Sequence, residues 1–175
     1  YRSRSGEVAN AAVIATFALP GLLVALAMFF WTGEFAWTRD NLRGTLLILI
    51  FAYVVRFGAQ AMGSTSVAVA GVPPRLNDAA QMLGAGRFRR FFTVDVPIMA
   101  PGLLAGAGLV LLSTMKELPI TLFVAPFDFP TLTTKTFANF EDAFVAEAGL
   151  YALTLVVLSA ALTWVLIIRK SDHLR

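Results

Sequence analysis

The chain contains no cysteine and a single histidine. The first absence excludes disulfide frameworks and thiolate metal sites. The second leaves His173, in the C-terminal tail, without the converging ligands that a metal site needs. Charge is scarce as well: Asp, Glu, Lys and Arg make up 14% of the 175 residues, where an ordinary soluble domain carries about 25%. No paired-carboxylate, histidine or cysteine cluster falls within an apolar run, so acid–base, nucleophilic and metal-assisted catalysis have no candidate constellation. No catalytic and no metal-ligating residue is therefore assigned. A G-x-x-x-x-G-K-[ST] phosphate loop is absent too, which excludes the usual mode of ATP binding by this chain. Gly84-Ala85-Gly86 and Gly106-Ala107-Gly108 follow no strand and are not nucleotide motifs. No cofactor and no nucleic-acid partner is expected.

What is present is apolar: 58% of residues are hydrophobic and the mean hydropathy is +0.74. The excess is concentrated in four runs, residues 8–31, 45–63, 98–115 and 149–168. Each is close to the roughly 20 residues that cross a hydrocarbon core about 30 Å thick. The expected fold is all-α, a single polytopic membrane domain over residues 1–175 with four spanning helices. The first run is too long for the apolar core of a secretory signal, although Arg2 and Arg4 precede it.

Basic residues are distributed unequally across the loops. Arg2, Arg4, Arg75, Arg87, Arg89, Arg90, Arg169, Lys170 and Arg175 fall on one side, nine in all, whereas Arg39, Arg43, Lys116 and Lys135 fall on the other. Lys and Arg are retained in the cytoplasm during insertion. This places both termini and the loop at 72–97 inside the cell and the loop at 118–148 outside. The later half of the outer loop, 134–148, has no helix breaker and is expected to form a short surface helix.

Within the inner loop, Pro73-Pro74 ends the second span. Asn77 or Asp78 can cap a new helix, and Gly84 supplies a residue suited to a left-handed helix end. The resulting piece, about two turns long, is too short to stand alone in water. Arg87, Arg89 and Arg90 then alternate with Phe88, Phe91 and Phe92, and Pro97 is placed to open the third span. By composition alone the loop is a topological connector, a surface for anionic lipid or a docking element for a cytoplasmic partner.

The spacing resembles a known family. Asp78-Ala79-Ala80, three residues, Gly84, nine residues, then Val94-Asp95-Val96-Pro97 is similar to the EAA loop of the membrane-spanning subunits of bacterial ATP-driven, binding-protein-dependent importers. Aspartate stands for the first glutamate, and valine for both the isoleucine and the leucine of that pattern. A second stretch, Lys116-Glu117-Leu118-Pro119-Ile120-Thr121-Leu122 followed by Pro126-Phe127 and Thr131-Leu132, is similar to the KELP segment of the ferric-iron-type permeases. Ala125 stands where that pattern has arginine. FALPG at 17–21 resembles the start of a core helix in the same group.

The resemblance implies a permease of the bacterial inner membrane, multi-pass, moving its cargo by alternating access. Its implied partners are ABC ATPase subunits, a periplasmic or lipoprotein substrate-binding protein, a second permease half or subunit, and membrane lipid. Asp78, Ala79, Ala80, Gly84 and Pro97 would form the ATPase-coupling element. Ferric iron is the implied cargo, with thiamine and phosphonate as alternatives. Such permeases have at least five or six spans per half and this chain begins at Tyr1, so further helices are expected before it.

Other residues carry expectations of their own. Arg56, inside the second span, belongs either in the protein interior or snorkelled to the headgroups. Arg56, Lys116, Glu117 and Pro119 are candidates for the translocation path or its gate. The GxxxG of Gly102 and Gly106 is read as close packing within the subunit rather than self-association. In this family the acidic outer-loop residues Asp128, Glu141, Asp142 and Glu147 are expected to dock the binding protein.

Overall fold

A computed structural model describes residue 15 and residues 19–165. Arg2, Arg4, Arg169, Lys170, His173, Arg175 and most of the first apolar run lie outside the described residues. Among the described residues there is no strand. The helices are α1 (Gly21–Glu34), α2 (Ala36–Asn41), α3 (Leu46–Ala70), α4 (Pro74–Met82), α5 (Arg87–Met115), α6 (Pro119–Val124), α7 (Leu132–Glu141) and α8 (Val145–Thr163). The chain is an all-helical polytopic protein: α3, α5 and α8 are long and apolar enough to cross a membrane, and α1 is a shorter apolar helix. Leucine, valine and phenylalanine cover their outer surfaces. Leu47, for example, is 68% exposed, a surface suited to lipid or to another membrane helix and not to water.

Two compact units divide the chain, one comprising Tyr1–Ala59 and Leu111–Ala161, the other Gln60–Val110 and Leu162–Arg175. The first unit holds an apolar core of Val24 and Ala25 from α1, Ile48, Leu49 and Ala52 from α3, and Ile120 and Val124 from α6. Tyr53 reaches into this region, where its hydroxyl hydrogen-bonds Thr121 Oγ1. Thr121 donates its one proton to the Glu117 carbonyl at 2.7 Å, so Tyr53 is the donor of the first bond. In the second unit α3 and α5 pack closely at two glycines. A Cβ on Gly102 would come within 2.9 Å of the Ala68 Cβ, and one on Gly106 would overlap Ser64. The GxxxG therefore serves contact within the subunit, as the sequence suggested.

The element bounds differ from the sequence reading in several places. The apolar run at 8–31 is not one unbroken helix: Ala15 is helical, Leu19 and Pro20 are not, and α1 begins at Gly21. α3 continues past the apolar run at 45–63, through the polar Gly63-Ser64-Thr65-Ser66 stretch, to Ala70; it stops just before the Pro73-Pro74 break that the sequence marks as its end. α7 starts at Leu132, two residues earlier than expected, since Thr131 and Thr134 form a reciprocal capping box. It stops at Glu141, where Ala143 takes a left-handed conformation at φ 63°, and the last helix resumes at Val145 rather than Gly149. The short α2 was not anticipated.

A further difference concerns Pro97. It does not open the third spanning helix but lies inside α5, which is helical from Arg87. A proline cannot donate to the carbonyl four residues back, and its ring presses on that group. The chain accommodates this with a π-helical turn over Phe91–Asp95, in which Val96 N–H bonds the Phe91 carbonyl.

Candidate functional site

Two sets of residues singled out by the sequence fall in separate parts of the molecule. Asp78, Ala79 and Ala80 lie on α4, Gly84 follows it and Pro97 lies on α5, all within the second unit. Arg56, Lys116, Glu117 and Pro119 belong to the first unit.

α4 begins one turn earlier than expected. Pro74 occupies its first turn, where a missing amide proton costs nothing, and Pro73 precedes it with no side-chain cap. Neither Asn77 nor Asp78 therefore caps the helix. Its end matches the expectation: Gly84 adopts φ 75°, with Gly84 N–H on the Gln81 carbonyl at 2.9 Å and Ala85 N–H on the Ala80 carbonyl at 3.0 Å. This pair of bonds is a Schellman ending. No atom lies within 4 Å of the position a Cβ on Gly84 would take.

α4 is exposed on most sides, Arg75, Asp78 and Gln81 included, and one of its exposed faces is apolar. Leu76, Ala79, Met82 and Leu83 lie three, six and seven residues apart from the first, a spacing that shares one helix face. Met82 is 89% and Leu83 87% exposed. Asp78 and Ala79 are exposed as well, and Ala80 is half-buried. Sequence reasoning had missed Met82 and Leu83; the signal was available in the i, i+3, i+7 pattern running from Leu76 through Ala79 to Leu83.

The turn preceding Pro97 carries an ion pair. Arg90 Nε stands 3.6 Å from Asp95 Oδ2, with both side chains largely shielded. Five residues of regular α-helix would turn the two side chains about 140° apart. The widened π turn between them brings both to one side.

In the first unit, Glu117 lies at the junction between α5 and α6. Its Oε1 accepts the Ile120 amide at 3.3 Å, helping to satisfy the start of α6, whose first residue is Pro119. The same carboxylate packs on Gly21, where a Cβ would come within 2.8 Å of it. Lys116 is exposed and points elsewhere, lining an apolar groove with Phe137, Phe140 and Leu155. Arg56 is half-buried, its guanidinium carbon 5.9 Å from the Phe57 ring centre. Lys116, Glu117 and Arg56 thus face three different environments. Tyr53 and Thr121, which tie α3 to the Glu117 backbone, were not picked out from sequence because a tyrosine in an apolar run carries no spacing signal. Among the described residues no group of three potential metal ligands comes together.

A multi-pass helical membrane protein with a short, uncovered amphipathic helix between two spanning segments has the architecture of a transport permease. The model of the binding-protein-dependent transport system inner membrane component matches residues 1–171, and the chain belongs to that family. It is 32% identical over 142 residues to the Fe(3+)-transport system permease protein FbpB 2 of Haemophilus influenzae, covering 81% of this chain and 28% of that protein. It is 26% identical over 145 residues to the putative 2-aminoethylphosphonate transport system permease protein PhnV of Salmonella typhimurium, covering 83% of this chain and 53% of that one. Over 101 residues it is 32% identical to the molybdenum transport system permease protein ModB of Escherichia coli, covering 54% and 39%. The chain spans between about a quarter and about half of the length of these relatives.

Proposed function

We propose that this chain is the permease part of an ATP-driven importer, in which ATP is hydrolysed on partner ATPase chains and α4 is the element they grip. The observation that carries this reading is the exposed apolar edge of α4, closed by a glycine in a left-handed turn, in a chain of the binding-protein-dependent family. A helix presenting small and apolar residues at i, i+3 and i+7 is suited to seating in a groove. Ala79 and Ala80 allow close approach, and Met82 and Leu83 supply the apolar area. Asp78 adds an exposed charge at the rim, and Pro97, through the π turn, sets how α4 connects to the third span. Termini and α4 face the cytoplasm in this reading, by the excess of basic residues on that side. An external binding protein delivers cargo at the opposite face, and a second permease half completes the path.

Arg56, Lys116, Glu117 and Pro119 are assigned to the path or its gate only in part. Glu117 and Pro119 form the start of α6, and their role is to fix that helix against α1 and α3. The likeness to an Fe(3+) permease supports ferric iron as cargo; phosphonate and molybdenum compounds, named for other relatives, are the alternatives, along with thiamine. The test of coupling uses the permease assembled with its ATPases in proteoliposomes. Ala80→Trp is expected to reduce uptake and cargo-stimulated ATP hydrolysis at least tenfold while the permease still inserts. Unchanged coupling would overturn the assignment of α4.

A further inference from the structure

The first unit contains a pocket of about 510 Å³ of whose charged residues only Asp128 has a role above. α1, the start of α3, α6, the 125–130 segment and α7 all contribute to it. Its charged lining consists of Arg43, Lys135 and Asp128. The Arg43 guanidinium carbon lies 4.3 Å from the Phe29 ring centre, so the cation is held on an aromatic face. The ion pairs among the described residues are Arg39–Asp40 and Arg90–Asp95; neither Arg43, Lys135 nor Asp128 takes part in one. Two cations thus stand against one carboxylate. At the rim, Phe127 is fully exposed, held between Pro126 and the left-handed turn at Asp128, φ 59°.

This combination favours a protein carboxylate over a free ion. Arg43 and Lys135 are both exposed, so a small anion held by them alone would be screened by salt and water. A carboxylate that arrives on a protein surface brings apolar area with it, and an exposed aromatic beside an arginine is the usual composition of an interface anchor. We infer that this pocket is the docking point for the external binding protein, which inserts an acidic side chain between Arg43 and Lys135 while Phe127 packs on its apolar surface. The inference rests on the importer reading, with this end of the chain facing outside. It shifts the docking role from the acidic residues Asp128, Glu141, Asp142 and Glu147 to the two cations.

The test measures binding-protein affinity for the complete permease–ATPase complex in nanodiscs, at about 50 and about 200 mM salt. The doubly reversed variant Arg43→Glu/Lys135→Glu is expected to bind at least about tenfold more weakly at low salt and to lose most of its salt dependence. Phe127→Ala should weaken binding while keeping the salt dependence. Arg43→Lys/Lys135→Arg, which retains both charges, should bind within a few-fold of wild type, showing that charge and not misfolding is read. Binding of the doubly reversed variant within twofold of wild type would overturn the inference. So would millimolar inorganic phosphate that binds at the pocket yet leaves binding-protein affinity unchanged, since the pocket would then be a small-anion site. Failure of the importer reading is seen separately, in a wild-type preparation that retains no ATPase and shows no cargo uptake.

Discussion

Two helices in this chain end in the same way with different residues. Gly84 closes α4 at φ 75° and Ala143 closes α7 at φ 63°; in each case the following amide bonds a carbonyl five residues back, Ala85 to Ala80 and Phe144 to Asn139. A left-handed alanine costs about 1–2 kcal/mol that glycine does not, partly offset by the greater freedom of glycine in the unfolded chain. Ala143→Gly should therefore stabilise the protein by up to about 1 kcal/mol, seen as a raised Tm in detergent; a lowered Tm would mean that the turn relaxes around alanine. At Gly84 the same argument separates fold from partner. Gly84→Asn keeps a residue that tolerates φ > 0 and adds a side chain into space that is empty in this chain. Loss of ATP-driven uptake with an unchanged Tm is expected, and unimpaired uptake would show that no partner approaches there. Close packing offers a third residue-level test. Gly106→Ala forces a methyl into Ser64, and overpacking of this kind costs about 1–3 kcal/mol. Ser64→Gly in the same chain should recover most of the lost Tm, and failure to do so would place the strain elsewhere.

At the scale of elements, the π turn in α5 is the feature the sequence concealed. Apolar runs of spanning length, the double proline and Gly84 were legible because each acts locally, through hydropathy, a missing amide or a backbone conformation. Pro97 was misplaced because the same local rule admits two outcomes: a helix can start at proline, or pass through it with a widened turn. The ends of α7 were misjudged for a related reason, since Thr131 caps only with the reciprocal contribution of Thr134. Asn77 and Asp78 were good caps on paper, but Pro74 begins the helix first. The pairing of Arg90 with Asp95 follows from the π turn, and it supplies a test of it. Asp95→Ala leaves a shielded arginine unpaired and should lower stability by about 1 kcal/mol or more. The exchange Arg90→Asp/Asp95→Arg should restore most of the loss if the two sit on one side. If the exchange is no better than the single change, the turn has reverted to regular helix.

At the scale of the whole molecule, the absent cysteines become an experimental advantage. No thiol competes with an introduced one, so single-cysteine labelling reports one position at a time. Orientation was inferred from the distribution of arginine and lysine, a rule about how loops are retained during insertion, and in the importer reading it decides which end of the chain would meet an ATPase and which a cargo. Met82 and Phe127 are suitable probes because both side chains are almost wholly exposed and neither packs in the apolar core. In intact cells, a membrane-impermeant maleimide should modify the thiol introduced by Phe127→Cys and not the one introduced by Met82→Cys. Inside-out vesicles should reverse the pattern. Adding the partner ATPase to those vesicles should then protect the Met82→Cys thiol, since α4 would be seated in its groove, while leaving a thiol at an exposed site away from α4 reactive. Labelling of Met82→Cys in intact cells would invert the topology and detach α4 from any cytoplasmic ATPase, whereas correct sidedness without protection would keep the topology and remove α4 from the contact.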